Sequence, residues 1–410
     1  MRDRLAIAAG ILALTLLSYF HFPGHTYLAS DTQIYVPMLE HIWDPSSLAN
    51  DPVASKPHLA YTLYDEIAIG LRWLTGRSFQ AVLTGQQLVF RAAQILGVFL
   101  LAGSFPLTRT MSMLVASLFT LGATIIGPAV LTFEYEPVPR AFAVGLVFLA
   151  IGLAAQNHLM LAGVAAAGAF LYHAPTVFPF WALYLWLAWR RREYRALWLP
   201  GAVILLLLGA SRLQPGAAEN QVFFVRVSSE LERLQRLRTP YCWVSTWRTD
   251  VIWQYILLWI VSVAAYWRVR PKAGGVFLIG LPLTGIASVP MSYVLLEKLK
   301  WGLIPQFQPA RTVLFVTAFA VILAAAAGVR AAERKRWIES AAWFVIVLAV
   351  PASARMFSIG LRELALAGSL AVALRRDLFA AIPMANGRAG WSGDRAIFCV
   401  ARLGASTKLS

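Results

Sequence analysis

About eleven largely apolar runs follow one another along this chain, and no other feature narrows its possible folds as much. They cover residues 5–22, 83–104, 111–132, 139–156, 158–172, 175–190, 196–211, 251–267, 274–295, 312–330 and 337–354. A helix needs about 20 mostly apolar residues to cross a bilayer. Inside hydrocarbon the backbone must satisfy its own hydrogen bonds, which favours helices. The expected fold is therefore an all-α polytopic membrane protein. It would have about 11 transmembrane helices and long outer loops carrying interfacial helices. Composition agrees, since 59% of the 410 residues are hydrophobic and only 14% are charged, against about 25% charged in soluble domains. The N-terminal run reads as a retained first helix, because no small-residue cleavage site is evident.

The formal net charge of +16 would suggest nucleic acid in a soluble protein. Here the cations sit at the ends of apolar runs, as membrane orientation requires, so no nucleic-acid partner is expected. With Arg2 and Arg4 cytoplasmic, the loops on that side carry Arg109, then Arg190, Arg191, Arg192 and Arg195. Arg268, Arg270 and Lys272 follow, and then Arg330, Arg334, Lys335 and Arg336. The N-terminus is accordingly expected in the cytoplasm.

The opposite face holds the long segments, and polar chemistry is expected there. A first outer loop spans 23–82 and is acidic, with Asp31, Glu40, Asp44, Asp51, Asp65 and Glu66. A second spans 212–250 and is basic; a shorter segment covers 296–311. "YTLYDEIAIGLRWLTG" in the first loop and "SSELERLQRLR" in the second have helical apolar spacing, which predicts surface-lying helices. Residues 1–355 read as one transmembrane module, and 356–410 as an amphipathic segment with a basic tail.

Five polar sites require explanation. Asp31 in "LASDTQIYVP" follows the first run and opens the longest outer loop. It reads either as a general base or as the N-cap of the helix that follows; Gln33 is grouped with it. "EYEPVPR" sets Glu134 and Glu136 beside Arg140 in a proline-stiffened turn. The acids there can serve a polar substrate, a metal or the arginine. His173 in "LYHAPTVFPF" falls in a short outer turn and reads either as a donor to a phosphate or a sugar hydroxyl or as a structural residue at a helix end. "IPQFQPARTV" brings Gln306, Gln308 and Arg311; the arginine suits bidentate phosphate binding or serves as an interfacial anchor of the next run. Gln87, Arg91 and Gln94 share one face of the second run, so Arg91 reads as anion-binding or as paired within the fold. His21 and His25 have zinc-like spacing, but Pro23 and Gly24 interrupt it. No metal ligand set and no cofactor motif is identified.

The arrangement resembles the GT-C superfamily of polytopic membrane glycosyltransferases. That group includes the protein mannosyltransferases, the aminoarabinose transferases and bacterial relatives. The resemblance covers roughly residues 1–355: a cytoplasmic N-terminus, an early Asp in a long first outer loop, then a basic second loop. "DPSSLANDPV", "EPVPR", "YHAP" and "QPAR" are similar to short segments of those relatives. The resemblance implies that Asp31 is the catalytic base. It implies a polyprenyl-phosphate-type sugar donor, an acceptor at the outer face and residence in a bacterial inner membrane. Gln33, Arg91, Glu134, Glu136, Arg140, His173, Gln306, Gln308 and Arg311 would then bind substrate, with membrane lipids as surroundings. Two other classes fit the same composition. One is a transporter or flippase for a lipid-linked or small polar solute; the other is a non-catalytic part of an envelope polysaccharide assembly system.

Overall fold

A computed structural model describes residues 2–55, 61–214, 224–351 and 359–381. It is helical apart from a two-stranded ribbon, β1 (Thr124–Ile125) paired antiparallel with β2 (Val130–Leu131). The helices are α1 (Arg2–Phe20), α2 (Thr32–Trp43), α3 (Tyr64–Thr75), α4 (Phe79–Gly103), α5 (Arg109–Phe119) and α6 (Pro139–Ala155). After them come α7 (Leu159–Arg191), α8 (Trp198–Ser211), α9 (Ser229–Arg238), α10 (Thr249–Val269) and α11 (Gly275–Ser292). The last are α12 (Ile304–Phe307), α13 (Val313–Glu333), α14 (Trp337–Ala349) and α15 (Ile359–Ala381). By compactness, Met1–Ala373 form one unit and Leu374–Ser410 a second. The tail beyond Ala381 lies outside the described residues.

Seven helical segments among the described residues are long and apolar enough to cross a membrane. Three further apolar helices are shorter: Arg109–Phe119, Pro139–Ala155 and Trp337–Ala349. The chain is thus a helical membrane protein. Its apolar runs each carry a helix, but not always a full-length one. The run 111–132 is the clearest departure. There α5 ends at Phe119, and the chain turns into the β1–β2 ribbon. Gly122 (φ 70°) and Gly127 (φ 94°) take left-handed conformations in this stretch, which glycine adopts without a Cβ penalty.

The runs 158–172 and 175–190 lie within α7, which is broken at His173 (φ −157°, ψ 88°). A straight helix of 25 residues would be about 37 Å long. Instead the Tyr184 hydroxyl donates to the Leu159 carbonyl at 3.3 Å, and Arg191 reaches Asn157 at 3.2 Å. The two halves therefore run antiparallel, with His173 at the reversal. Pro175 is the cause: it has no N–H, and its ring crowds the carbonyl four residues back. That carbonyl, Leu171 O, accepts from the Leu63 amide at 2.7 Å. The Tyr172 carbonyl accepts from the Thr62 hydroxyl at 2.9 Å. The break thus creates the acceptors that dock the start of α3.

Helix α13 is apolar all round and buried along nearly its whole length. Such a helix belongs at the centre of a bundle. Small residues also bring α4 and α6 together. A Cβ added at Gly152 would lie 2.2 Å from the Gly97 carbonyl oxygen. Gly152→Val should therefore force the helices apart and cost about 1–3 kcal/mol. A lower apparent melting temperature of the detergent-purified protein would register it; an unchanged value would contradict this packing.

The polar face of α4 is occupied internally. Arg91 donates to the carbonyls of Ser18 (2.6 Å), Gly24 (2.6 Å) and Glu134 (2.8 Å). Gln87 donates to Tyr135 O at 3.0 Å, and Gln94 to Thr132 O at 2.6 Å. These side chains clamp the end of α1 and the 132–135 turn onto α4. Arg91→Met should strip two buried carbonyls and one half-buried one of their donor. The expected result is a clear loss of yield and thermal stability, measured by fluorescence size-exclusion chromatography.

The basic loops gather at one end of the bundle. Arg109 pairs with Asp3 at 2.6 Å, Lys272 N donates to Ser104 O at 3.2 Å, and Arg268 grips Glu339 at 2.7 Å. Helices α6 and α13 both lead from the opposite end to this one. At that opposite end, α9 and the turns after it meet the 293–307 segment. Arg236 bridges Glu232 (2.9 Å) and Glu297 (3.2 Å), while Lys300 binds Glu232 at 2.6 Å. The Arg236 guanidinium lies 4.2 Å from the ring centre of the fully buried Trp243.

Candidate functional site

The site begins with the proline-rich turn before α6. Pro139 takes the first helical position, where its missing N–H costs nothing, so Arg140 projects from the helix start. Glu134, in the turn, receives Arg140 Nε at 2.7 Å and the Leu131 amide at 3.3 Å. Both partners are largely buried, with side chains 13% and 5% exposed. Such a charge-assisted pair fixes the guanidinium in place.

Asp31 occupies the N-cap position of α2 but does not act as a cap. Its backbone is already helical (φ −63°, ψ −29°), and its side chain accepts no bond from the helix. An N-cap residue ordinarily takes an extended conformation, which lets its oxygen reach back to the second or third amide. The carboxylate faces Arg140 instead, at 4.0 Å, and is half exposed. Arg140 thus stands between a buried carboxylate that anchors it and an accessible one that it supports.

Arg140 also lines a small cavity with His173, Thr176, Gln308 and Arg311, backed by Phe307 and Phe315. The space open to a water's centre is about 20 Å³, room for a water or two. His173 arrives through the break in α7 and is hydrogen-bonded through Nδ1 to the Thr176 hydroxyl at 2.8 Å. Arg311 sits on a short turn, Pro309–Thr312, after Gln308 in the left-handed conformation (φ 45°). The Arg311 guanidinium lies 5.5 Å from the ring centre of Tyr241. Its Nε is buried without a hydrogen-bond partner, as is Gln308 Oε1. Among the described residues no carboxylate pairs with Arg311. A guanidinium desolvated in this way is electrostatically incomplete, and an anion would complete it.

Tyr35, one turn along α2, feels the same charges. Burial first, and then the Asp31 carboxylate, push its phenol up to about 12, against the pull of Arg140 and Arg311. At neutral pH the hydroxyl is therefore a donor.

Of the residues singled out from sequence, Asp31, Glu134, Arg140, His173, Gln308 and Arg311 fall in this one neighbourhood. Arg140, His173, Gln308 and Arg311 line the cavity, Asp31 and Glu134 reach it through Arg140, and the other four do not line it. Gln33 is exposed and donates to Leu28 O at 2.8 Å, bracing the loop before α2. Glu136 is buried and accepts the Thr32 amide at 3.3 Å. Arg91 is spent on backbone carbonyls, and Gln306 is exposed. Thr176, Tyr35 and Tyr241 belong to the site without having been anticipated. Tyr241 had no signal in the sequence, because only the docking of the 239–247 turns on the 293–307 segment carries it to Arg311. Comparison of the chain with protein-family models, with curated proteins and with solved structures finds no match.

Proposed function

We propose that the protein is a glycosyltransferase of GT-C type, moving a sugar from a polyprenyl-phosphate lipid to an acceptor hydroxyl at the outer face of a bacterial inner membrane. The observation that carries this reading is the pairing of chemistries at one spot. An accessible carboxylate released from capping duty lies beside a cavity that holds an uncompensated arginine. Asp31 takes the proton of the acceptor hydroxyl as that oxygen bonds to the anomeric carbon. The bond from that carbon to the phosphate oxygen breaks, and its electron pair leaves with the lipid phosphate. Arg311 and Arg140 stabilise the charge that develops there. Direct attack inverts the anomeric centre. The sugar occupies the open side of Asp31, since the small cavity has room only for phosphate oxygens and water.

The transporter reading draws on a polar surface at mid-depth. Its best candidate, the Gln87, Arg91 and Gln94 face, is occupied by carbonyls, which favours transfer over transport. The first test is a binding measurement. Polyprenyl monophosphate should raise the melting temperature of the wild type and of Asp31→Asn, but not of Arg311→Met. A shift of equal size in Arg311→Met would remove the phosphate from this site.

A further inference from the structure

Asp31 faces Arg140 and makes no bond to its own helix. The first amides of α2 need an acceptor, and an aspartate at this position is among the best acceptors available. In this chain the Ile34 and Tyr35 amides go to the Asp31 carbonyl, at 2.9 and 3.2 Å, and the Gln33 amide goes to Ser30 O at 3.0 Å. The Thr32 amide, fully buried, goes to Glu136 Oε2 at 3.3 Å, across 104 residues of sequence. Glu136 itself is only 4% exposed, so this bond is made away from competing water. Its other oxygen, Oε1, has no partner, and the Thr32 hydroxyl likewise has none.

We propose that Glu136 is a positioning residue: it holds the Thr32 amide from the neighbouring turn and so fixes the helical backbone at residue 31 that aims the Asp31 carboxylate at Arg140. The inference rests on the glycosyltransferase reading and deepens it. The turn "EYEPVPR" then divides its labour. Glu134 fixes Arg140, and Glu136 fixes the backbone that carries Asp31. Both distances depend on one proline-stiffened segment, so the carboxylate and the guanidinium that face each other are set by the same turn. Without the Glu136 bond, the cheapest remedy for the stranded Thr32 amide is rearrangement of residues 30–32. Asp31 would then leave the helical region, and its carboxylate would move away from Arg140.

The experiment compares sugar turnover by full-length wild type, Asp31→Asn, Glu136→Ala and Glu136→Gln in proteoliposomes loaded with polyprenyl-phosphate sugar. Thermal stability is recorded for each. Glu136→Ala should lower kcat about tenfold or more, with the donor KM near the wild-type value. Glu136→Gln keeps a carbonyl oxygen for the Thr32 amide and should recover most of that loss. Wild-type kcat in Glu136→Ala would overturn the proposal, as would equal losses in the two Glu136 variants. Should Glu136→Ala not fold, Thr32→Pro takes its place. Proline suits the first helical position but drives residue 31 out of the helical region, so turnover should fall although the fold persists. Full turnover in Thr32→Pro would overturn the proposal. Absence of turnover in the wild type would instead overturn the glycosyltransferase reading itself, which keeps the two failures apart.

Discussion

Asp31→Asn is expected to reduce sugar transfer about 100- to 10,000-fold, the range that a positioned general base supplies. The amide is isosteric, and the Asp31 side chain makes no cap bond that it could break. Folding should therefore be intact, with yield and melting temperature close to wild type. Donor binding should also survive, because the amide still faces Arg140 without charge and leaves Arg311 unpaired. The pattern to look for is a collapse of kcat at a nearly constant donor KM. A variant with full turnover would leave Asp31 as the first residue of a helix and nothing more. A variant that fails to fold would mean that its charge is needed by Arg140 for stability.

Arg140→Met should cost more in stability than any other single change at the site. It strands Glu134, whose side chain is 5% exposed, and breaking a buried ion pair from one side costs about 3–5 kcal/mol. The Leu131 amide still reaches Glu134 at 3.3 Å, but one amide does not neutralise a buried carboxylate. The double variant Glu134→Gln with Arg140→Met removes both charges and keeps the acceptor for Leu131. It should regain much of the stability while transfer stays lost, because Asp31 no longer has its cation. Equal melting temperatures for the single and double variants would contradict the assigned pairing. Recovery of transfer in the double variant would contradict the support of Asp31 by Arg140.

The helices were legible because burial in hydrocarbon leaves long apolar runs, and α1, α4, α10 and α13 fall close to the runs that announce them. The run 111–132 misled because apolarity does not distinguish a helix from a buried ribbon; Gly122 and Gly127 carried the relevant signal. The break in α7 was readable from Pro175, and with it the placement of His173. Residue chemistry singled out Asp31, Arg140, His173 and Arg311, which the fold brings into one neighbourhood. It could not separate Glu134 from Glu136. Two acids in one turn look alike until the fold shows that one faces Arg140 and the other the Thr32 amide. Arg91 illustrates the same limit. An arginine within an apolar run demands partners, but the sequence does not say that these are the carbonyls of Ser18, Gly24 and Glu134.

The central claim is that a glycosidic phosphate bond breaks beside Asp31. It is tested most directly in proteoliposomes holding purified protein and a labelled polyprenyl-phosphate sugar, by mass-spectrometric quantitation of the lipid. The account predicts that wild type releases free polyprenyl phosphate in step with glycosylation of the acceptor, and that Asp31→Asn releases neither. Lipid-linked sugar that crosses the bilayer intact, at the same rate in both proteins, would contradict it.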